Sequence, residues 1–235
     1  MKQILKSSLS WGLACSLALA QPLIAQGPNP AVQQKVEAFK QAQAMNKQAL
    51  QHYSWVETTQ LSLKGEVKST KVEQCQYGPN GQVQKTPLSQ PPPPEKKRGV
   101  RGRVVEKKVD EMKDYMEQAV SLIKQYVPPS PDKLKAVAAA GNASINPAGP
   151  GAVQLQFKNY LENGDSLTLA LDPTTNMLQQ VNVNSYLGEA KDAVTLSVNF
   201  GPLPDGTNYS ASKVLNVAAK QIVVNITSSN YQKMY

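Results

Sequence analysis

Gly164-Asp165-Ser166-Leu167 is the stretch that comes nearest to a reactive site, because it spells the nucleophile signature of one class of serine esterases. That chemistry needs the serine at a turn from a strand into a helix, with a distant Asp-x-x-His to take its proton. Neither condition is met here. Ser166 enters a strand pattern from the Asn163-Gly164 turn, and His52, the only histidine, lies far upstream without that spacing. A single histidine also excludes a multi-histidine zinc site, and no glycine loop has phosphate-binding spacing. Glu57, Glu66 and Glu73 fall on polar strand positions or beside turns, where solvation is their expected role. The sequence predicts no catalytic residue, no metal ligand and no cofactor.

Charge points to one segment. Lys85, Lys96, Lys97, Arg98, Arg101, Arg103, Lys107 and Lys108 stand against only Glu95 and Glu106 in the same stretch. Setting aside Lys2 and Lys6, the remaining chain outside this stretch is neutral on balance. A basic isoelectric point of about 9.3 therefore belongs to a segment rather than to a surface, and nucleic acid is not the expected partner. Lys96, Lys97, Arg98, Arg101 and Arg103 form a candidate contact segment, for anionic phospholipid headgroups or for an acidic protein.

At the N-terminus, Lys2 and Lys6 precede an apolar run, Leu9 to Ala20, too short and too rich in small residues to anchor in a bilayer. It reads as a cleaved export signal. Small residues suit cleavage after Ala20 or after Ala25, and Ala25 is favoured, making 1–25 the signal and 26–235 one domain in the periplasm. Gly12-Leu13-Ala14 makes a poor lipidation box before Cys15. Cys75 is then the one cysteine left, so no intrachain disulfide forms, and in a strand it is expected as a small buried hydrophobe.

The elements that would position any site follow from periodicity. Asn29-Pro30 starts a helix whose apolar stripe is Val32, Val36, Phe39, Gln43 and Leu50. Tyr53 to Leu88 reads as three antiparallel strands reversed at Lys64-Gly65 and Pro79-Asn80-Gly81. In the first of them Tyr53, Trp55, Leu61 and Leu63 share a face with Glu57 and Thr59. Pro91 to Pro94 and the charges after them read as an extended loop.

Val105, Val109, Met112, Met116, Ala119, Ile123 and Val127 then recur at four- and three-residue spacings, which predicts a long amphipathic helix over 103–127. Ser130-Pro131-Asp132 caps a short helix to about Ala140, and Asn146 to Gly151 reads as a loop. From Ala152 onward the alternation predicts six more strands with short connections. The expected fold is α+β: an unclosed, curved antiparallel sheet of about nine strands, covered by the N-terminal helix and by a helical insertion at about 88–150.

This pattern resembles the LolA/LolB-like periplasmic lipoprotein-carrier superfamily. The resemblance rests on the entry helix followed by Tyr53-Ser54-Trp55, the Lys64-Gly65-Glu66-Val67 reversal, the Tyr77-Gly78-Pro79-Asn80-Gly81 turn, and Leu171-Asp172-Pro173 leading to Leu178. It spans most of residues 30 to 231. It implies an open antiparallel barrel with helices over its open side, binding acyl chains or acylated proteins. No single ligand-contacting residue of the family maps onto this chain.

The expected site is a hydrophobic cavity where Tyr53, Trp55, Leu61 and Leu63 on the sheet meet Val105, Val109, Met112, Met116 and Ile123 on the helix. Aliphatic and thioether side chains repack around an acyl chain with little directional demand. The expected function is a non-enzymatic carrier for a lipid or a lipidated polypeptide. The alternative is an envelope regulatory or scaffolding protein that binds another protein through the same fold.

Overall fold

The structure is a computed structural model. It describes residues 29–88, 100–149 and 151–234, with the backbone alone at 100–106 and 108. The predicted export signal, the proline run and Lys96, Lys97 and Arg98 lie outside the described residues.

Helix α1 (Pro30–Leu50) begins where the Asn29 side chain accepts the Ala31 N–H at 3.0 Å, with Pro30 in the first turn. Strands β1 (Tyr53–Leu63), β2 (Glu66–Tyr77) and β3 (Val83–Pro87) form the predicted hairpins. Lys64 and Gly65 both take the left-handed conformation, φ 54° and 82°, that a two-residue reversal demands. Helix α2 (Val100–Ile123) starts three residues before the predicted boundary and ends four before it. Beyond Ile123 the chain passes into turns at Lys124 to Tyr126, and Pro128 disfavours the helical region at Val127 just before it. Helix α3 (Pro131–Ala139) follows, capped by Ser130 as predicted.

Strands β4 (Ala143–Pro147), β5 (Val153–Lys158), β6 (Ser166–Leu171), β7 (Leu178–Tyr186), β8 (Ala193–Pro202), β9 (Asn208–Val217) and β10 (Ile222–Lys233) complete one sheet. Its order is β3-β2-β1-β10-β9-β8-β7-β6-β5-β4, antiparallel throughout and not closed. The sheet has ten strands rather than about nine. The added one, β4, covers residues 143–147 and so takes in Asn146 and Pro147, the start of the predicted loop. It pairs with β5 from Ala143 opposite Phe157 to Pro147 opposite Val153. Short, with Ile145 its main apolar residue and a proline at its end, it carries the signals of a loop. A sheet edge tolerates such a strand because it needs partners on one side only.

The topology dictates what the insertion does. Strands β3 and β4 are neighbours in sequence but lie at opposite edges of the sheet, so the chain between them must cross from one edge to the other. Helices α2 and α3 make that crossing over the inner face. Helix α1 packs on α3, β4 and β9. The core joins Val32, Val36 and Phe39 of α1 and Leu134, Val137 and Ala138 of α3 to the inward residues of the sheet from β5 to β10. Ala119 and Leu122 of α2 are buried with them, and Met112, Met116 and Ile123 pack against this core while staying partly exposed.

The α1 stripe differs from the predicted one in its second half. Ala42 and Asn46 are buried, while Leu50 is half-buried. Asn46 donates to the Asn208 carbonyl at 2.8 Å and accepts the Asn208 N–H at 2.7 Å, so one amide side chain satisfies both main-chain groups of the first residue of β9.

Candidate functional site

The inner face of β7 to β10 is built by alternation, with a register shift early in β7 that brings Leu178 to the same side as Val181. Leu178, Val181, Leu196, Val198, Phe200, Leu215, Val224 and Ile226 all point to one side. Met116, Val120 and Ile123 of α2 lie over them, with Val127, Pro128 and Pro129 of the following turn. The two layers do not meet everywhere. Between them lies a cavity of about 660 Å³, lined mainly by apolar side chains, with Gln43 of α1 at its wall. The Nε2 of Gln43 is buried without a hydrogen-bond partner, an unused donor at the cavity wall.

A second cavity of about 210 Å³ adjoins it, lined by Leu50, Trp55, Glu57, Val83, Lys85 and Tyr231. Tyr77, Ser210 and Lys213 line both. Trp55 stacks on Tyr231, with ring centroids 5.5 Å apart and planes 9° from parallel, and meets Tyr77 at 5.5 Å. Burial pushes the phenols of Tyr77 and Tyr231 above their ordinary range, so both are proton-bearing donors at neutral pH.

Glu57, Lys85 and Lys213 at the smaller cavity belong to a charged cluster with Glu73 and Lys71. Glu57 and Glu73 are both buried, at 4% and 5% exposure, which overturns the expectation that solvation explains them. Glu66, by contrast, is exposed and paired with Lys68, as that expectation requires. Lys85 donates to Glu57 and lies 3.9 Å from Glu73. Lys71 pairs with Glu73 at 2.6 Å and Lys213 with the second Glu57 oxygen at 3.5 Å.

Burial alone would raise the Glu57 carboxyl. The Lys85 hydrogen bond and the Lys213 and Lys85 charges outweigh it and hold the group below its ordinary value. Burial would likewise lower Lys85, but the Glu57 hydrogen bond and charge hold it above its ordinary value. Cys75 is buried as expected, and burial followed by the Glu57 charge pushes its thiol up. It is a hydrophobe here rather than a nucleophile.

The predicted cavity residues divide among three places. Met116 and Ile123 line the large cavity and Trp55 the small one. Leu63, Val109 and Met112 line a separate groove of about 430 Å³ beside Lys220. Leu61 packs against the core. Tyr53 turns away to donate to Asp205 at 2.6 Å. Val105 falls in α2 where the backbone alone is described, as do Arg101 and Arg103. The eight apolar sheet residues that line the large cavity read from sequence as strand faces or not at all.

Lys213 was missed, yet stepping back by twos from Val217 and Leu215 places it on the inner face. Its register partners are Val198 on β8 and Ile226 on β10.

The esterase-like tetrapeptide has a structural role. Asp165 is buried and accepts the N–H groups of Tyr160, Leu161 and Glu162 at 2.5, 2.8 and 2.8 Å. The Tyr126 hydroxyl donates to it as well, and also meets Ser185 Oγ at 2.8 Å. Ser166 begins β6, and His52 precedes β1. Five strand spacings separate those two strands, roughly 24 Å along the sheet.

Among the described residues no group of three His, Cys, Asp or Glu residues is placed to hold a metal ion, and no helix is long and apolar enough to cross a membrane.

These features define a class of architecture: an open antiparallel half-barrel whose crossing helices leave an apolar cavity above the sheet. No family model and no curated protein matches the sequence. Two solved structures are similar in fold over most of their length. One is a DUF1329 family protein from Desulfovibrio piger, 9% identical, covering 88% of this chain and 94% of that one, with a TM-score of 0.43. The other is an outer membrane lipoprotein-sorting protein domain from Vibrio parahaemolyticus, 11% identical, covering 86% and 93%, with a TM-score of 0.38.

Proposed function

We propose that this protein is an exported, non-enzymatic binding protein for the acyl chain of a lipid or of a lipidated polypeptide. The observation that carries this reading is the cavity of about 660 Å³ between β7–β10 and α2. Its volume falls within the range of about 300–1,000 Å³ common to small-molecule sites, and apolar walls with few polar groups suit an alkyl chain. Each enclosed methylene contributes about 0.8 kcal/mol, so affinity rises about fourfold per carbon until the cavity is full.

The Leu9 to Ala20 run supports export, with 26–235 as the working domain in the periplasm of a bacterial envelope. The basic segment from Lys96 to Arg103 is then a contact for an anionic membrane surface beside the lipid source. In the competing reading, the fold binds an envelope protein and the basic segment is the contact.

The deciding experiment is purification from the envelope of the native host, followed by solvent extraction and mass spectrometry. A stoichiometric acyl-bearing molecule is the expected result. Protein that is empty of lipid and carries a polypeptide without an acyl group overturns the proposal in favour of the competing reading.

A further inference from the structure

We propose that Tyr77, Ser210 and Lys213 form a headgroup subsite, so that the preferred ligand is an anionic single-chain amphiphile, with its chain in the large cavity. This rests on the acyl-binding reading and specifies which end of the ligand lies where.

The geometry of the junction carries it. Those three residues line both cavities, and all three can donate a hydrogen bond: an ammonium, a hydroxyl and a phenol. A chain lying along β7–β10 and reaching the small cavity passes from apolar walls to these donors. An anionic oxygen is the group that uses all three, because it accepts and carries the complementary charge.

Lys213 is also out of place for a purely structural role. Its row across the sheet reads Leu169, Val181, Val198, Lys213, Ile226, apolar on both sides of the lysine. The Lys213 side chain keeps 33% exposure among these apolar neighbours, so its ammonium remains accessible to an anionic partner. Its pairing with Glu57 is 3.5 Å long, against about 2.7–2.9 Å for a strong charge-assisted hydrogen bond, and Glu57 already accepts from Lys85. Charge counting agrees. Lys71, Lys85 and Lys213 face Glu57 and Glu73, and the high thiol pKa of Cys75 adds no negative charge, so the cluster carries one positive charge in excess. An anionic headgroup neutralises it.

Carboxylate and phosphomonoester headgroups share this chemistry, and the test separates them. Dodecanoate, dodecyl phosphate, monododecanoylglycerol and dodecyltrimethylammonium are titrated below their micellar concentrations into wild-type protein and into Lys213→Met and Ser210→Ala variants. The wild type is expected to bind at least one anionic probe about ten- to a hundredfold more tightly than the neutral one, with the cation weakest. Whichever anion binds more tightly identifies the source. In Lys213→Met the ratio of anionic to neutral affinity falls to near one, and in Ser210→Ala it falls partway. Equal wild-type affinities for all four probes overturn the headgroup subsite and leave acyl binding standing. No binding of any probe overturns both.

Discussion

Glu57 and Glu73 stand directly opposite one another across the β1–β2 ladder, both buried, so that two carboxylates occupy a position where like charges repel. Lys85 on β3 resolves the conflict by bonding Glu57 and lying 3.9 Å from Glu73. Removing its ammonium takes away the hydrogen bond to Glu57 and leaves that buried carboxylate only the Lys213 contact at 3.5 Å. Lys85→Met is therefore expected to lower unfolding free energy by ~1–3 kcal/mol. That is less than the ~3–5 kcal/mol for a fully buried pair, because Lys85 is 41% exposed and screened by solvent. Adding Glu57→Gln should recover most of the loss, which urea denaturation of the single and double variants measures.

The same cluster sets a pH window. The Glu57 carboxyl is held below its ordinary value, so its contribution is complete above about pH 4.3 and lost as pH falls through the lower folded value. The Lys85 ammonium is held above its ordinary value, so its contribution is complete below about pH 10.4 and lost as pH rises through the higher folded value. Stability from this pair is expected to form a plateau between these limits. Glu57→Gln should flatten the acid limb, as read from denaturation midpoints across pH.

A second acid-sensitive contact lies at the end of the sheet. The Tyr53 hydroxyl, followed by the Thr207 side chain and N–H, holds Asp205 far below the usual carboxylate range. Its stabilisation is present above about pH 3.9 and lost as pH falls through the folded value. Tyr53→Phe should be less stable than wild type at neutral pH, and that gap should close on acidification. A gap that is constant from neutral to strongly acidic pH would refute the contribution of this hydrogen bond.

Tyr126 and Asp165 give a structural prediction at the esterase-like tetrapeptide. Tyr126 is fully buried in the turn after α2, and burial and then the Asp165 hydrogen bond push its phenol well up. Tyr126→Phe removes one donor from a buried carboxylate and is expected to cost ~1.5–3 kcal/mol. Ser166→Ala should change stability by less than ~0.5 kcal/mol and leave any hydrolytic activity as it was. Thermal unfolding of both variants, with an ester substrate assay, separates these roles.

Much of this architecture was legible because it depends on local signals. The hairpin at Lys64-Gly65, the cap at Ser130 and the alternation from Leu167 to Ile226 each follow from residue types within a few positions. What escaped depends on which strands become neighbours. Glu57 reads as solvated until β2 and β3 place Glu73 and Lys85 on its face, and Lys213 gains meaning only when β8 and β10 flank it with valine and isoleucine. Asn46 sits on a helical stripe, but its partner is Asn208, the first residue of β9. The cavity itself was expected between β1 and α2. The larger cavity lies between α2 and β7–β10, because strand order carries β1 away from the centre of the helical crossing, and Trp55 of β1 lines the smaller cavity beside it.

That placement yields the sharpest test of the binding site. Ile226 faces the large cavity from β10 and is only partly buried, so a larger side chain there projects into open volume rather than into packed core. Ile226→Trp should therefore leave stability within about 1 kcal/mol of wild type, unlike the ~1–3 kcal/mol cost of overpacking a filled core. The indole removes space that methylenes would occupy. With neutral monoacylglycerols of increasing length, wild-type affinity should rise about fourfold per carbon and then level off. The variant should level off several carbons earlier, with the same slope before its limit. A parallel loss at every chain length would mean that the tryptophan acts on something other than cavity length, and an unchanged limit would mean that the chain does not lie against β10.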